Sequence, residues 1–191
     1  MAPLKVLLAD DEPLSSMALR SQLEALGHDI VAHVRNGRDA VDFARCFDLD
    51  LAVIDYRMPG LTGFDAAARI FHDRPTALLL ISGHAEADAV GDERPPAYQY
   101  LVKPADLAAL EQAIQQATAC FQQWLQHDAD PDDVRRKNDD ARTIQAAHRA
   151  LSRDSNPRAA CRALVARSHA TGSDLLTTAR AVLEDKEEHA P

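Results

Sequence analysis

Asp10-Asp11, Asp55, Ser82 and Lys103 each follow a short apolar run: "LKVLLA", "LAVI", "ALLLI" and "YQYLV". A lone acid in such a place is ordinarily a helix cap or a solvated loop residue. A set that recurs at successive run ends points to a shared task. Three close carboxylates repel one another unless a cation sits among them, and Mg2+, a hard divalent ion that prefers oxygen ligands, fits best. A carboxylate beside such an ion and a lysine can attack phosphorus, because the positive groups neutralise the equatorial oxygens of a moving phosphoryl group. Asp55, which ends the buried-looking "LAVID", is the candidate nucleophile.

These groups meet only if the runs are neighbouring strands. The pattern predicts five strands: Leu4 to Ala9, Ile30 to Val34, Leu49 to Asp55, Ala77 to Ser82 and Tyr98 to Val102. Helical patterns fall between them. Leu19, Leu23 and Leu26 belong to a first helix stopped at Gly27, a second covers Gly37 to Cys46, and a third follows Gly63. A short fourth is expected in "HAEADAVGDE", closed by Pro95-Pro96. Strands alternating with helices predict an α/β fold with a parallel, doubly wound sheet, in which ligands sit outside the carboxyl ends of the strands. In the fifth helix, Leu107, Leu110, Ile114, Ala117, Phe121 and Trp124 alternate three and four apart. That seam suits a dimer, or a helix lying on its own sheet; its apparent length beyond the sheet favours the dimer.

With 191 residues and 46% apolar content, the chain suffices for one ordinary domain and a smaller one. The net charge of −9 argues against coating nucleic acid with the whole surface. Charge is uneven, however: residues 142 to 180 carry seven arginines (142, 149, 153, 158, 162, 167 and 180) against Asp154 and Asp174. No run is long enough to span a membrane, and Asp10 falls where a signal peptide would still be apolar, so a soluble, cytoplasmic protein with no membrane partner is expected. Cys46, Cys120 and Cys161 form no disulfide framework or zinc pattern and are read as reduced fillers of helix faces. The eight histidines show no metal-ligand spacing.

Over residues 3 to 127, "LLADDEP", "IDYRMPGLTG", "LISGH" and "YLVKP" together resemble the receiver domain of two-component response regulators. The resemblance implies a flavodoxin-like fold and phosphorylation of Asp55 by a histidine kinase or phosphotransfer protein. It implies that Asp10, Asp11 and Asp55 hold Mg2+ with the backbone carbonyl of Arg57. Lys103 and Ser82 would contact the phosphoryl oxygens, and Tyr100 would be the aromatic that swings inward when Ser82 is drawn to the phosphate. Pro104 would follow a cis peptide, which an X-Pro bond alone does not predict. Apart from its own phosphorylation and dephosphorylation, nothing outside the acidic pocket looks catalytic, so no free-standing enzyme is expected.

Residues 1 to 127 are thus read as one domain and 128 to 191 as a second. Past the break "HDADPDD", Asp130-Pro131 and Asn156-Pro157 each set a capping residue before a proline, and Ser173 offers a third start. Three helices with single apolar stripes should close into a small all-α bundle. Residues 139 to 184 resemble the ANTAR output domain of antitermination regulators, an RNA-binding module, through the Ile144 to Leu151 frame, "LVARSHAT" and "LLTTARAVL". The resemblance implies an RNA hairpin as partner, with Arg142, His148, Arg149 and Arg153 as candidate contacts, and a homodimer on phosphorylation. Ala147-His148-Arg149 stands where that family favours Ala-Lys-Gly. No Phe, Tyr or Trp occurs after Trp124, so base stacking would fall to arginine. The other reading takes the arginines as a solvated face and the bundle as a protein-interaction or dimerisation module.

Overall fold

The computed structural model describes residues 2–83, 95–153 and 156–188, without the side chains of 187 and 188. Strands β1 (Lys5–Ala9), β2 (Asp29–Val34), β3 (Leu51–Asp55), β4 (Ala77–Ser82) and β5 (Gln99–Val102) form one parallel sheet in the order β2-β1-β3-β4-β5. This is the doubly wound order of flavodoxin-like folds, and its strand order reverses beside β1 and β3. β3 and β4 are buried along their whole lengths, as sheets covered on both faces require. The edge strands β2 and β5 are only partly buried. The expected strands therefore all form, with ends shifted by up to two residues.

Helices α1 (Pro13–Ala25), α2 (Gly37–Cys46), α3 (Gly63–Asp73) and α4 (Leu107–His127) wind the sheet. Their starts follow local chemistry. The side chains of Asn36, Thr62 and Asp106 accept from the backbone N–H groups of Asp39, Asp65 and Ala109, satisfying donors that a first turn leaves unpaired. The fourth helix expected from "HAEADAVGDE" lies outside the described residues. α4 is the helix expected as the fifth, and its seam corrects the dimer argument built on it. Leu110, Ile114 and Ala117 are fully buried in the cluster formed with Leu8, Val53, Leu79 and Ile81. Further along, Trp124 packs on Phe71 of α3 with ring centroids 4.7 Å apart. The stripe covers its own sheet because burying it there needs no second chain.

Beyond residues 128 to 130 come α5 (Pro131–Ser152), α6 (Pro157–Thr171) and α7 (Leu175–Glu188), which pack on one another. The side chains of Asp130 and Asn156 cap α5 and α6 as expected, while Asp174, one residue past the expected Ser173, accepts from the Thr177 N–H at the start of α7. Gly172 ends α6 in the left-handed region at φ 65°, where a side chain would be strained.

These helices also rest on the α/β part. Ile144, Ala147, Cys161 and Leu164 join the same hydrophobic cluster as Val41, Phe43 and Ala44 of α2. Phe47 lies against the His148 ring, centroids 4.8 Å apart, and its carbonyl accepts from Gln145 Nε2 at 3.3 Å. A disulfide joins Cys46 to Cys161 across a sequence separation of 115. This corrects the reading of these two cysteines as reduced fillers. Nothing local in the sequence pairs the ends of α2 and α6; the docking of the helices does. Cys120 is a free, half-buried thiol. Among the described residues, no helix is long and apolar enough to cross a membrane.

Candidate phosphoacceptor site

Parallel pairing sets the carboxyl ends of β1, β3, β4 and β5 side by side, with Ala9 opposite Ile54, Asp55 opposite Ile81 and Ser82 opposite Val102. The chain leaves each strand into the same mouth. Tyr56 N–H donates to the Ile81 carbonyl at 2.7 Å and Lys103 N–H to the Ser82 carbonyl at 2.7 Å, fixing the two loops against β4. The Lys103–Pro104 peptide is cis, as the receiver resemblance implies.

The Lys103 ammonium bridges two acids. It donates to Asp10 Oδ2 at 2.9 Å and makes a short contact with Asp55 Oδ1. The other Asp55 oxygen accepts from the Arg57 backbone N–H at 3.0 Å. Asp10 is further held by the Glu12 N–H at 2.8 Å and the Ser15 hydroxyl at 2.6 Å. Asp10, Asp55 and Ser82 are buried. Burial pushes the Asp55 carboxyl above its ordinary value, and the opposing pull of Lys103 does not restore it. For Lys103 burial acts downward, but its bonds to Asp55 and Asp10 and the charge of both acids prevail, so the ammonium titrates above its usual range.

The expected residues are brought together unequally. Asp10, Asp55, Lys103 and Ser82 gather at the strand ends. Arg57 contributes its backbone in the turn after β3, although the contact formed is through its N–H. Tyr100 lies in β5 opposite Leu80, half-buried against the cluster that contains Phe64 and Ala66. Asp11, expected as a third member of a carboxylate trio, does not complete one: among the described residues no group of three His, Cys, Asp or Glu side chains is placed to hold a metal. One ammonium bridges two carboxylates, and Asp11 remains partly exposed at the start of the loop. The donor set still suits a hard cation, because Asp10 and Asp55 are buried oxygen ligands that already demand positive charge.

Residues with no chemical group to offer also shape the pocket. A Cβ on Gly63 would lie 1.9 Å from the Asp55 carbonyl oxygen, so only glycine lets α3 begin against the end of β3. Gly37 is equally constrained, since a Cβ there would meet the Leu61 carbonyl oxygen at 2.4 Å. That contact seats the start of α2 on the loop after Asp55. Ser15 and Gly37 were missed in the sequence: Ser15 is one hydroxyl in a helix, and Gly37 reads as a helix start.

At the other candidate site, Arg142, Arg149 and Arg153 are exposed and spaced seven and four residues apart, so they share one face of α5 and its end. His148 is not on that face. It is buried against Phe47, with Nε2 2.8 Å from the Pro157 carbonyl oxygen, which corrects its reading as an RNA contact: in this arrangement it is an internal packing group.

A buried carboxylate at a strand end, bridged by a lysine to a second acid in a five-stranded doubly wound sheet, is the arrangement of a receiver domain. Residues 6–115 match the family described as the response regulator receiver domain, and the chain belongs to that family. Transcriptional regulatory protein PdtaR of Mycobacterium tuberculosis is 34% identical over 122 residues, 63% of this chain and 60% of the relative. Protein PilH of Pseudomonas aeruginosa is 33% identical over 114 residues, 58% of this chain and 93% of PilH. Among solved structures, the receiver domain of Erythrobacter litoralis PhyR superposes with a TM-score of 0.54 at 28% identity, covering 60% of this chain and 89% of that one. The match with the mycobacterial regulator thus spans less than two thirds of its length.

Proposed function

We propose that this response regulator receives a phosphoryl group on Asp55 and uses it to control RNA binding by α5, α6 and α7. The observation that carries the reading is the buried Asp55 carboxylate, reached by Lys103 on one oxygen and by the Arg57 N–H on the other. The donor is the phosphohistidine of a histidine kinase or phosphotransfer protein. A carboxylate oxygen of Asp55 attacks phosphorus, the P–N bond breaks, and the electron pair returns to the imidazole nitrogen. Lys103 screens charge on the phosphoryl oxygens, and the Ser82 hydroxyl hydrogen-bonds to one of them. Asp10 and Asp55, with the Arg57 carbonyl, would hold Mg2+, which supplies further neutralisation of those oxygens.

Phosphorylation adds a dianionic group where Lys103 now serves two acids, so the ammonium, Ser82 and Tyr100 are drawn toward it. A route to the output helices exists in the packing: the loop after Asp55 touches Gly37, α2 follows, and Phe47 beyond its end lies on His148. For RNA, the support is the Arg142, Arg149 and Arg153 stripe, the ANTAR resemblance, and a relative named as a transcriptional regulatory protein. Phosphorylation would loosen or pair the output helices so that two hairpin loops are held at once. The protein acts as a switch rather than a free-standing enzyme.

The deciding experiment titrates an RNA hairpin at two salt concentrations, with the full chain untreated or phosphorylated by a small phosphodonor in Mg2+. Binding that tightens on phosphorylation and weakens steeply with salt is expected, since contacts to phosphates release counterions. No binding in either state overturns the RNA part and moves the output to a protein partner, leaving phosphorylation of Asp55 to be judged by acyl-phosphate formation.

A further inference from the structure

Cys46 closes α2 and Cys161 lies in the second turn of α6, and their Cα atoms are 5.9 Å apart, the separation a disulfide requires. Their position matters more than their pairing. Both are buried, at 1% and 0% exposure, in the seam between the α/β part and the C-terminal helices. The same seam holds the Phe47–His148 ring contact and the Gln145 hydrogen bond, and Cys161 Sγ lies 3.7 Å from the Asp42 carbonyl oxygen. The disulfide is therefore a covalent tie across a contact otherwise made of a few side chains. Cys161 also lines a cleft of about 210 Å³ together with Asp42, Arg162 and His169. A small reagent reaching that sulfur would come through this cleft, which Asp39 and Asp42 line along with Arg162.

We propose that Cys46 and Cys161 form a redox-operated latch that clamps the C-terminal helices to α2 when oxidised and releases them for movement when reduced. A peroxide is the oxidant. The Cys161 thiolate attacks one peroxide oxygen, the O–O bond breaks, and hydroxide departs, leaving a sulfenic acid. Cys46 sulfur then attacks the Cys161 sulfur, the S–S bond forms, and the hydroxyl leaves as water with the Cys46 proton. In total, two thiols and one hydrogen peroxide give one disulfide and two waters. A dithiol reverses the reaction by two exchanges and is itself oxidised. Where the surroundings are reducing, disulfides are mostly transient and redox-sensing, which suits a bond placed between a switch and its output.

The test uses the full chain without phosphodonor or RNA, so its result is independent of the phosphorylation and RNA readings. Thiols are counted under denaturing conditions after dithiothreitol or after hydrogen peroxide, the cross-linked peptides are mapped, and backbone hydrogen exchange is followed in α6. The reduced chain should show three thiols and the oxidised monomer one, at Cys120, with Cys46 and Cys161 in one linked peptide. Exchange in α6 should be at least tenfold faster after reduction, and Cys46→Ser should hold the fast rate in either condition. Three thiols after peroxide, or linkage between chains instead, overturns the proposal. So does equal α6 exchange in the oxidised and reduced wild type, a comparison that needs no variant to fold.

Discussion

The acid pocket at the strand ends and the arginine stripe on α5 both gather like charges, but they are built in opposite ways. Asp10 and Asp55 are buried and bridged by one lysine, each held at a strand end where the backbone leaves little freedom. Arg142, Arg149 and Arg153 stand exposed on a helix, and Arg142 already has Asp139 at 3.1 Å. A buried charge cannot tolerate a missing partner, so the first site is specified to the atom. Solvated charges tolerate many arrangements, so the second is specified only as a face. The contrast teaches where substitution should act all-or-none and where it should act by degrees.

The largest effect is expected at the acceptor itself. Asp55→Asn should abolish acyl-phosphate formation with a small phosphodonor in Mg2+, while circular dichroism stays native; a variant that still labels would sink the assignment. Next comes the glycine that lets α3 start. Gly63→Ala must displace the Asp55 carbonyl and should cost about 1–3 kcal/mol of stability in denaturant unfolding, with slower phosphorylation, as overpacked sites do.

Neighbouring residues of α5 give a smaller but sharper contrast. His148→Ala strips a buried ring from Phe47 and a partner from the Pro157 carbonyl, and should destabilise by about 1–3 kcal/mol in the same unfolding experiment. Arg149→Ala with Arg153→Ala should leave stability unchanged and flatten the salt dependence of RNA binding by about 2 in log K against log salt. Unchanged RNA affinity in that double variant would count against the chosen face.

The gentlest effect is on pH dependence. A folded Asp55 pKa above the ordinary 3.8 means that the folded chain holds this proton more tightly than the unfolded chain does. The associated stability is complete below 3.8 and is lost as pH rises through the raised value. Lys103 is also raised, from 10.5, so its contribution persists at neutral pH and is lost only in the alkaline range. Unfolding measured from pH 4 to 7 should therefore show Asp55→Asn gaining on the wild type as pH increases; a constant difference would mean that burial does not govern this carboxylate.

Much of the pocket was legible because its residues lie at the ends of continuous apolar runs, and parallel strands have one end in common. Strand ends moved by a residue or two, as at Leu49, which is buried but precedes β3. The seam of α4 reads as suiting either a dimer or its own sheet, with the dimer ahead, because a three-and-four spacing says that a face is apolar without saying what covers it. His148 failed for a related reason: one residue along a helix turns the side chain by about 100°, and exposure then depends on the neighbouring element.

What the sequence determined by itself was local: apolar runs for buried strands, side-chain caps and prolines for helix starts, and a set of acids and one lysine at corresponding positions. These follow from short-range sterics and hydrogen bonding, which adjacent residues carry with them. The tertiary structure alone decided that Lys103 bridges Asp10 and Asp55, that Gly63 must clear a carbonyl, that α4 spends its seam on its own sheet, and that Cys46 meets Cys161. Apart from Gly63 and Asp55, which are close in sequence, these join residues far apart in the chain, and their meeting depends on which surfaces bury best against each other, a property of the whole packed molecule that no window of sequence contains.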